Sequence, residues 1–170
     1  MLYPLKFKPR IKERIWGGQA ILKKKGKAAS RLAKDKLYGE SWDLSSVKGD
    51  VSVVSNGFLK GNSLEEVIEV YMGDLVGEEN FERYGLGFPL LVKYLDCNDK
   101  LSVQVHPDDT LAMERHDSFG KTEAWYVVDC KPGAAIYLGF KDLNITREEY
   151  IAAVAESRLA DLLNRVEVKP

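Results

Sequence analysis

Apolar positions along the chain recur with two periods, and short alternations of period two dominate. Leu2 to Lys8 alternates apolar with polar or proline residues, the pattern of an edge strand. Val51-Ser52-Val53-Val54-Ser55 is rich in β-branched residues and closes at Asn56-Gly57, a strong turn signal. Four further strands are predicted at Leu90–Asp96, Leu101–His106, Glu123–Val128 and Ala134–Phe140. Asn98-Asp99 separates the first two of these and Lys131-Pro132-Gly133 the last two. Turns at such short intervals point to antiparallel hairpins folded as a sandwich or barrel.

Helical periodicity appears in two inserted segments. Ser63 and Glu66 form a capping box, after which Leu64, Val67, Ile68, Tyr71, Met72 and Leu75 share one face and Gly77 supplies a stop. That stripe reads as core packing. A second box, Thr146 to Glu149, starts a helix with Tyr150, Ile151, Val154 and Ala155 on its buried side. Asp108-Asp109 caps a short helix through Thr110 to Arg115, which leaves His116 as a surface residue. Val166 to Pro170 alternates like a strand entering a turn. A β-architecture at its first strand after a helix reads as unfinished, so the expected fold is a single domain over residues 1–170 truncated at its C-terminal end; a short docked tail is the other reading.

Composition narrows the function classes. The 170 residues carry 25 Lys plus Arg against 26 Asp plus Glu, a formal net charge of −1. That balance gives no electrostatic reason to expect nucleic acid or an anionic membrane as partner. Hydrophobic residues at 45% and charged residues at 30% describe a folded globular chain. No apolar run approaches the roughly 20 residues of a membrane span, and the first residues lack the apolar stretch of a secretory signal. Cys97 and Cys130 are too few for a disulfide framework, so a reducing cytoplasm is the expected compartment. The lysines between residues 23 and 34 read as a solvated loop, with anion binding the sharper alternative. Gly26, Gly39 and Gly49 lack phosphate-cradling spacing, and no dinucleotide fingerprint is present.

The most informative stretch is Leu101-Ser102-Val103-Gln104-Val105-His106. On a strand, Ser102, Gln104 and His106 share a face, with Gln104 and His106 about 7 Å apart along the backbone. The next strand, beginning Lys121-Thr122-Glu123-Ala124-Trp125, puts Lys121, Glu123 and Trp125 on a common face. If the two strands pair, an amide oxygen, an imidazole nitrogen and a carboxylate oxygen from Gln104, His106 and Glu123 can meet on zinc, manganese or iron. A cation there would favour the neutral, proton-accepting form of Lys121. The bland reading stands beside it: Gln104 and His106 hydrogen-bonding on a polar face, Glu123 solvated, Lys121 an exposed charge.

Lys100-Leu101-Ser102-Val103-Gln104-Val105-His106-Pro107-Asp108, followed by Gly120-Lys121-Thr122-Glu123-Ala124-Trp125-Tyr126, resembles type I mannose-6-phosphate isomerase (phosphomannose isomerase), most closely the short bacterial and archaeal form. Arg14-Ile15-Trp16-Gly17-Gly18, Gly39-Glu40-Ser41-Trp42 and Phe88-Pro89-Leu90-Leu91-Val92-Lys93 support it. The resemblance implies a mainly β fold with inserted helices, a cupin-like antiparallel β-barrel or jelly roll that is incomplete in this chain. It implies a zinc enzyme, one ion per site, interconverting mannose 6-phosphate and fructose 6-phosphate. The zinc ligands would be Gln104, His106 and Glu123, with Lys121 taking part in proton transfer or substrate binding. The family's further His ligand and late Arg have no counterpart here, since neither His116 nor Arg165 sits in their motif context.

Aldose–ketose isomerisation moves a proton between C1 and C2 through an enediol or enediolate, which suits a base beside a cation. The sugar phosphate needs cationic donors, for which Arg14, Lys93 and Lys100 are candidates, and Trp16 and Trp125 are candidates for the pocket wall or for core packing. A half-barrel exposes strand edges, so a second copy or the absent half is an expected partner. Two rival functions remain open at this point: a non-catalytic cupin module binding a sugar phosphate or partner chain, and a metal cupin of oxygenase type.

Overall fold

The structure, a computed structural model, describes residues 1–170, whose contacts group into two compact units, Met1–Leu101 and Ser102–Pro170. It combines antiparallel sheets with inserted helices, as expected. The sheets have three and two strands, and no barrel closes.

The first unit is built on β1 (Arg10–Gly18), β2 (Tyr38–Leu44) and β3 (Val92–Leu95), hydrogen-bonded in that order. β1 and β2 were not apparent from periodicity, because their faces are not simply apolar. Arg14 pairs with Glu40 at 3.1 Å, and the Trp42 indole donates to the same carboxylate at 2.6 Å. Lys12 pairs with Asp50 at 2.5 Å and lies 4.7 Å from the Trp42 ring centre. Such a face carries charges yet packs, since each charge has a partner and each stem covers an aromatic ring. The β1–β2 register slips between Glu13 and Gly18, which both pair with Tyr38. A Cβ on Gly39 would lie 2.5 Å from the Trp16 ring, so β2 accepts that indole only through glycine.

α1 (Ala20–Lys25) follows β1, with the Asp96 carboxylate accepting the backbone N–H of Ala20 at 2.6 Å. The lysine run lies on the surface as expected, with Lys25 half-buried, but its first part is helix and not loop. Its first members end α1, where Lys25 pairs with Asp43, and Lys24 and Lys25 lie 4.7 and 4.2 Å from the Tyr94 ring centre.

The predicted edge strand at residues 2–8 reduces to one bridge between Phe7 and Val54. Side chains hold the rest of it: Asn56 accepts from the Lys6 N–H at 2.7 Å and donates to the Pro4 carbonyl at 3.0 Å. Gly57 turns at φ +61, and a Cβ there would meet the Tyr3 ring at 2.2 Å.

The helix expected from Leu64 to Leu75 breaks at Met72. α2 spans Leu64–Tyr71 and α3 spans Gly73–Val76, with Met72 at φ 45 between them. Gly73 lies against the Glu78 carboxylate, where a Cβ would come within 2.3 Å, so the chain turns there into α4 (Glu78–Tyr84). The capping box forms as predicted, with the Ser63 N–H donating to Glu66 at 2.6 Å and the Glu66 N–H donating to the Ser63 hydroxyl at 3.2 Å. Those bonds hold the Glu66 carboxyl below its ordinary range. Leu64, Val67 and Ile68 are buried with Val54, Ile21 and Tyr38.

The second unit contains α5 (Asp109–His116), β4 (Ala135–Phe140), α6 (Arg147–Ala155) and β5 (Leu163–Glu167). β4 and β5 pair antiparallel, Ile136 opposite Val166 and Tyr137 opposite Arg165. The predicted strands at 101–106 and 123–128 are absent, because neither segment finds a backbone ladder partner within the chain. α6 begins at its predicted capping box, but its expected buried side is open: Tyr150, Ile151 and Val154 are 40%, 53% and 47% exposed. Phe140 meets only the edge of Tyr150, at 6.1 Å, and Ala153 is the one buried residue of the helix.

The first unit's core predicts a sharp contrast along α2. Ile68, with no exposed surface, and Val70, 72% exposed, differ by two positions. Ile68→Ala should lower unfolding stability by about 2–4 kcal/mol, and Val70→Ala by less than about 0.5, measured by urea denaturation.

Candidate metal centre

Residues 106 and 121–123 are brought together by the segment between them. Pro107 follows His106, and the Asp108 side chain accepts the Leu111 N–H at 2.9 Å, capping α5 as the sequence predicts. The helix buries Ala112 and ends at Asp117, whose left-handed φ of 48 turns the chain back. Gly120 N–H then donates to the Asp109 carboxylate at 2.9 Å, and the Lys121 N–H to the Pro107 carbonyl at 3.2 Å. This return requires glycine, since a Cβ on Gly120 would lie 2.5 Å from the Asp108 carbonyl carbon and the Asp109 nitrogen.

Three predicted site residues meet as a result. Lys121 Nζ stands 2.7 Å from Glu123 Oε1 and 3.1 Å from His106 Nε2. Glu123 Oε2 stands 3.4 Å from the same His106 nitrogen. Nε2 thus faces a donor in Lys121 and an acceptor in Glu123, and it accepts from the ammonium in the tautomer that carries its proton on Nδ1. His106, Glu123 and Lys121 are 27%, 33% and 40% exposed as side chains, so the cluster is open to a solute.

Gln104 is not part of this cluster. Its amide donates to the Ser102 hydroxyl at 3.2 Å. Contact between side chains two apart is what an extended backbone gives, so the shared face of Ser102 and Gln104 holds without a sheet. Arg14 is committed to Glu40 in the first unit, Trp16 packs against Gly39 there, and Lys93 lies 5.8 Å from the Trp42 ring centre. The Lys100 N–H donates to the Asp99 carboxylate at 2.7 Å. Trp125 is 54% exposed. His116 closes α5 on the surface, as expected. Cys97 is exposed, and partial desolvation of its thiol, with help from the Asp96 and Glu40 carboxylates, pushes its pKa up.

The donor set can be tested against a divalent ion. Two donors at the usual zinc distances, held at a tetrahedral angle, stand about 3.4 Å apart. His106 Nε2 and Glu123 Oε2 have that separation. An imidazole and a carboxylate are ordinary ligands for zinc and similar ions. The pair fits as a partial site: no third His, Cys, Asp or Glu joins it. Sequence reasoning identified the donors but not the role of Gly120 and the Pro107 carbonyl in joining them. The signal was available in the glycine directly before Lys121.

The family model "Phosphomannose isomerase type I, catalytic domain" matches residues 4–147. The chain is 40% identical over 168 residues to mannose-6-phosphate isomerase ManA of Bacillus subtilis, covering 98% of this chain and 50% of that protein. It is 37% identical to the mannose-6-phosphate isomerase of Streptococcus mutans, covering 99% of this chain and 50% of the relative. The crystal structure of the Bacillus subtilis mannose 6-phosphate isomerase superposes with a TM-score of 0.82 at 34% identity, over 99% of this chain and 51% of that one. The chain thus spans about half the length of the curated relatives it matches.

The tight return at Gly120 generates a prediction. Gly120→Ala should force residues 120–123 away from Asp108, cost about 1–3 kcal/mol of stability and separate Glu123 from His106. Urea denaturation checks the first effect. Loss of the Lys121-to-His106 contact, seen as a shift of the His106 ring nitrogens in NMR, checks the second.

Proposed function

The chain belongs to the type I phosphomannose isomerase family, and from that premise we propose that it carries the metal-binding and proton-transfer part of an aldose–ketose isomerase acting on mannose 6-phosphate and fructose 6-phosphate. The observation that carries this reading is the convergence of His106, Lys121 and Glu123 within 2.7–3.4 Å of one another. These are motif positions on which the family resemblance rests.

In this reading His106 and Glu123 hold a divalent ion, with zinc the proposed metal, and Gln104 turns from Ser102 to join them. Bound there, the ion would polarise sugar oxygens and stabilise the charge that develops on the enediolate. Lys121 stands where it can exchange a proton with the substrate carbon next to the ion, or bind a sugar oxygen. With its proton on Nδ1, His106 offers Nε2 to a ligand. The half-open exposure of the cluster admits a sugar, and a cupin-type fold would supply the surrounding walls. Arg14, Trp16, Lys93 and Lys100 belong to the first unit and are not assigned to this cluster.

A second reading has its own support: two donors converge where a complete site needs more. In that reading the chain binds a sugar phosphate without turning it over.

Conversion of mannose 6-phosphate to fructose 6-phosphate, followed by a coupled assay with added zinc, separates the two. The isomerase reading expects turnover that falls by at least about a hundredfold in Glu123→Ala and in Lys121→Met. Calorimetric binding of mannose 6-phosphate with no turnover would favour the binding module. Turnover unaffected by either substitution would overturn the assignment of these residues.

A further inference from the structure

We infer that Lys121 is an internal competitor for the metal site: its ammonium and a divalent cation contend for the same nitrogen of His106 and the same carboxylate of Glu123. The inference rests on the metal-binding reading above and concerns the loading of that site.

Lys121 Nζ lies 3.1 Å from His106 Nε2 and 2.7 Å from Glu123 Oε1. The Nε2 atom of a neutral imidazole has one lone pair, so it accepts one hydrogen bond or ligates one metal, never both. The Glu123 carboxylate is near both contestants, through Oε1 to Lys121 and through Oε2 to His106. The ammonium thus has one positive charge placed between the two donors that the ion would need. Its charge offsets that of Glu123.

Two consequences follow. The backbone return at Gly120 sets His106 Nε2 and Glu123 Oε2 3.4 Å apart, so little rearrangement of the two is needed when an ion enters. Entry also expels the lysine, both because the lone pair is used once and because like charges at this distance repel. Loading the ion and freeing Lys121 to face a substrate then become a single event. The lysine is 40% exposed, so its long side chain has room to swing away.

The test is zinc affinity by calorimetry or chelator competition, using the full 170-residue chain as wild type, Lys121→Met and Lys121→Arg. Lys121→Met keeps the length of the side chain and removes the charge at a partly exposed position. It should bind zinc about tenfold more tightly than wild type. Lys121→Arg, which keeps a cation beside Glu123, should stay near wild type. Binding in the methionine variant that is equal to or weaker than in wild type overturns the inference and leaves the metal site standing. Zinc bound by the methionine variant alone supports it in its strongest form. No zinc bound by any of the three overturns the metal-binding reading and this inference together.

Discussion

Everything proposed for this protein depends on one backbone closure. The Lys121 N–H reaches the Pro107 carbonyl at 3.2 Å, and Gly120 lies where any Cβ would strike the Asp108 backbone. That contact sets residue 121 beside residue 106 although a helix lies between them. Without it, an imidazole and a carboxylate 17 residues apart in sequence would have no reason to share a cation. The Asp108 cap and the left-handed Asp117 set the length and exit of α5, so the closure is specified at both ends.

The local signals in the sequence were legible wherever the physics was local. Both capping boxes, the Asp108 cap, the Asn56-Gly57 turn, β3 and β4 stand where pattern and turn chemistry place them, because each is decided by a few neighbouring residues. What was hidden depended on partners distant in sequence. β1 and β2 carry Lys12, Arg14, Glu40 and Trp42, and no periodicity reveals that Arg14 meets Glu40 across the two strands or that Lys12 meets Asp50 beyond them. The break falls at Met72, at φ 45, next to a glycine that lies against the Glu78 carboxylate five residues on. The segments at 101–106 and 123–128 have strand-like sequences but no ladder, since a strand is a property of a pair of backbones rather than of one.

The candidate site shows the same division. Alternation put Ser102, Gln104 and His106 on one face, of which the Ser102–Gln104 contact is seen, and the motif brought His106, Lys121 and Glu123 into view. The sheet invoked to join them is not what joins them; a capped helix and a glycine return do so. Gln104 bonds Ser102 instead of the cluster. The second unit also exposes Val105, Tyr126 and Leu143 almost fully, at 89%, 88% and 92%, while burying Ala112 and Ala153. Its local geometry is thus held by caps and hydrogen bonds more than by an apolar core, in contrast to the first unit with Val54, Val67 and Ile68.

The central claim is that His106 and Glu123 are two ligands of one divalent ion. An anomalous difference map at the zinc edge, from crystals of the zinc-loaded chain, tests it most directly. The account predicts one peak about 2.0–2.2 Å from His106 Nε2 and from the Glu123 carboxylate, with Lys121 moved off the imidazole nitrogen. A peak on other residues such as His116, or a zinc-soaked crystal with no peak between His106 and Glu123, would contradict it.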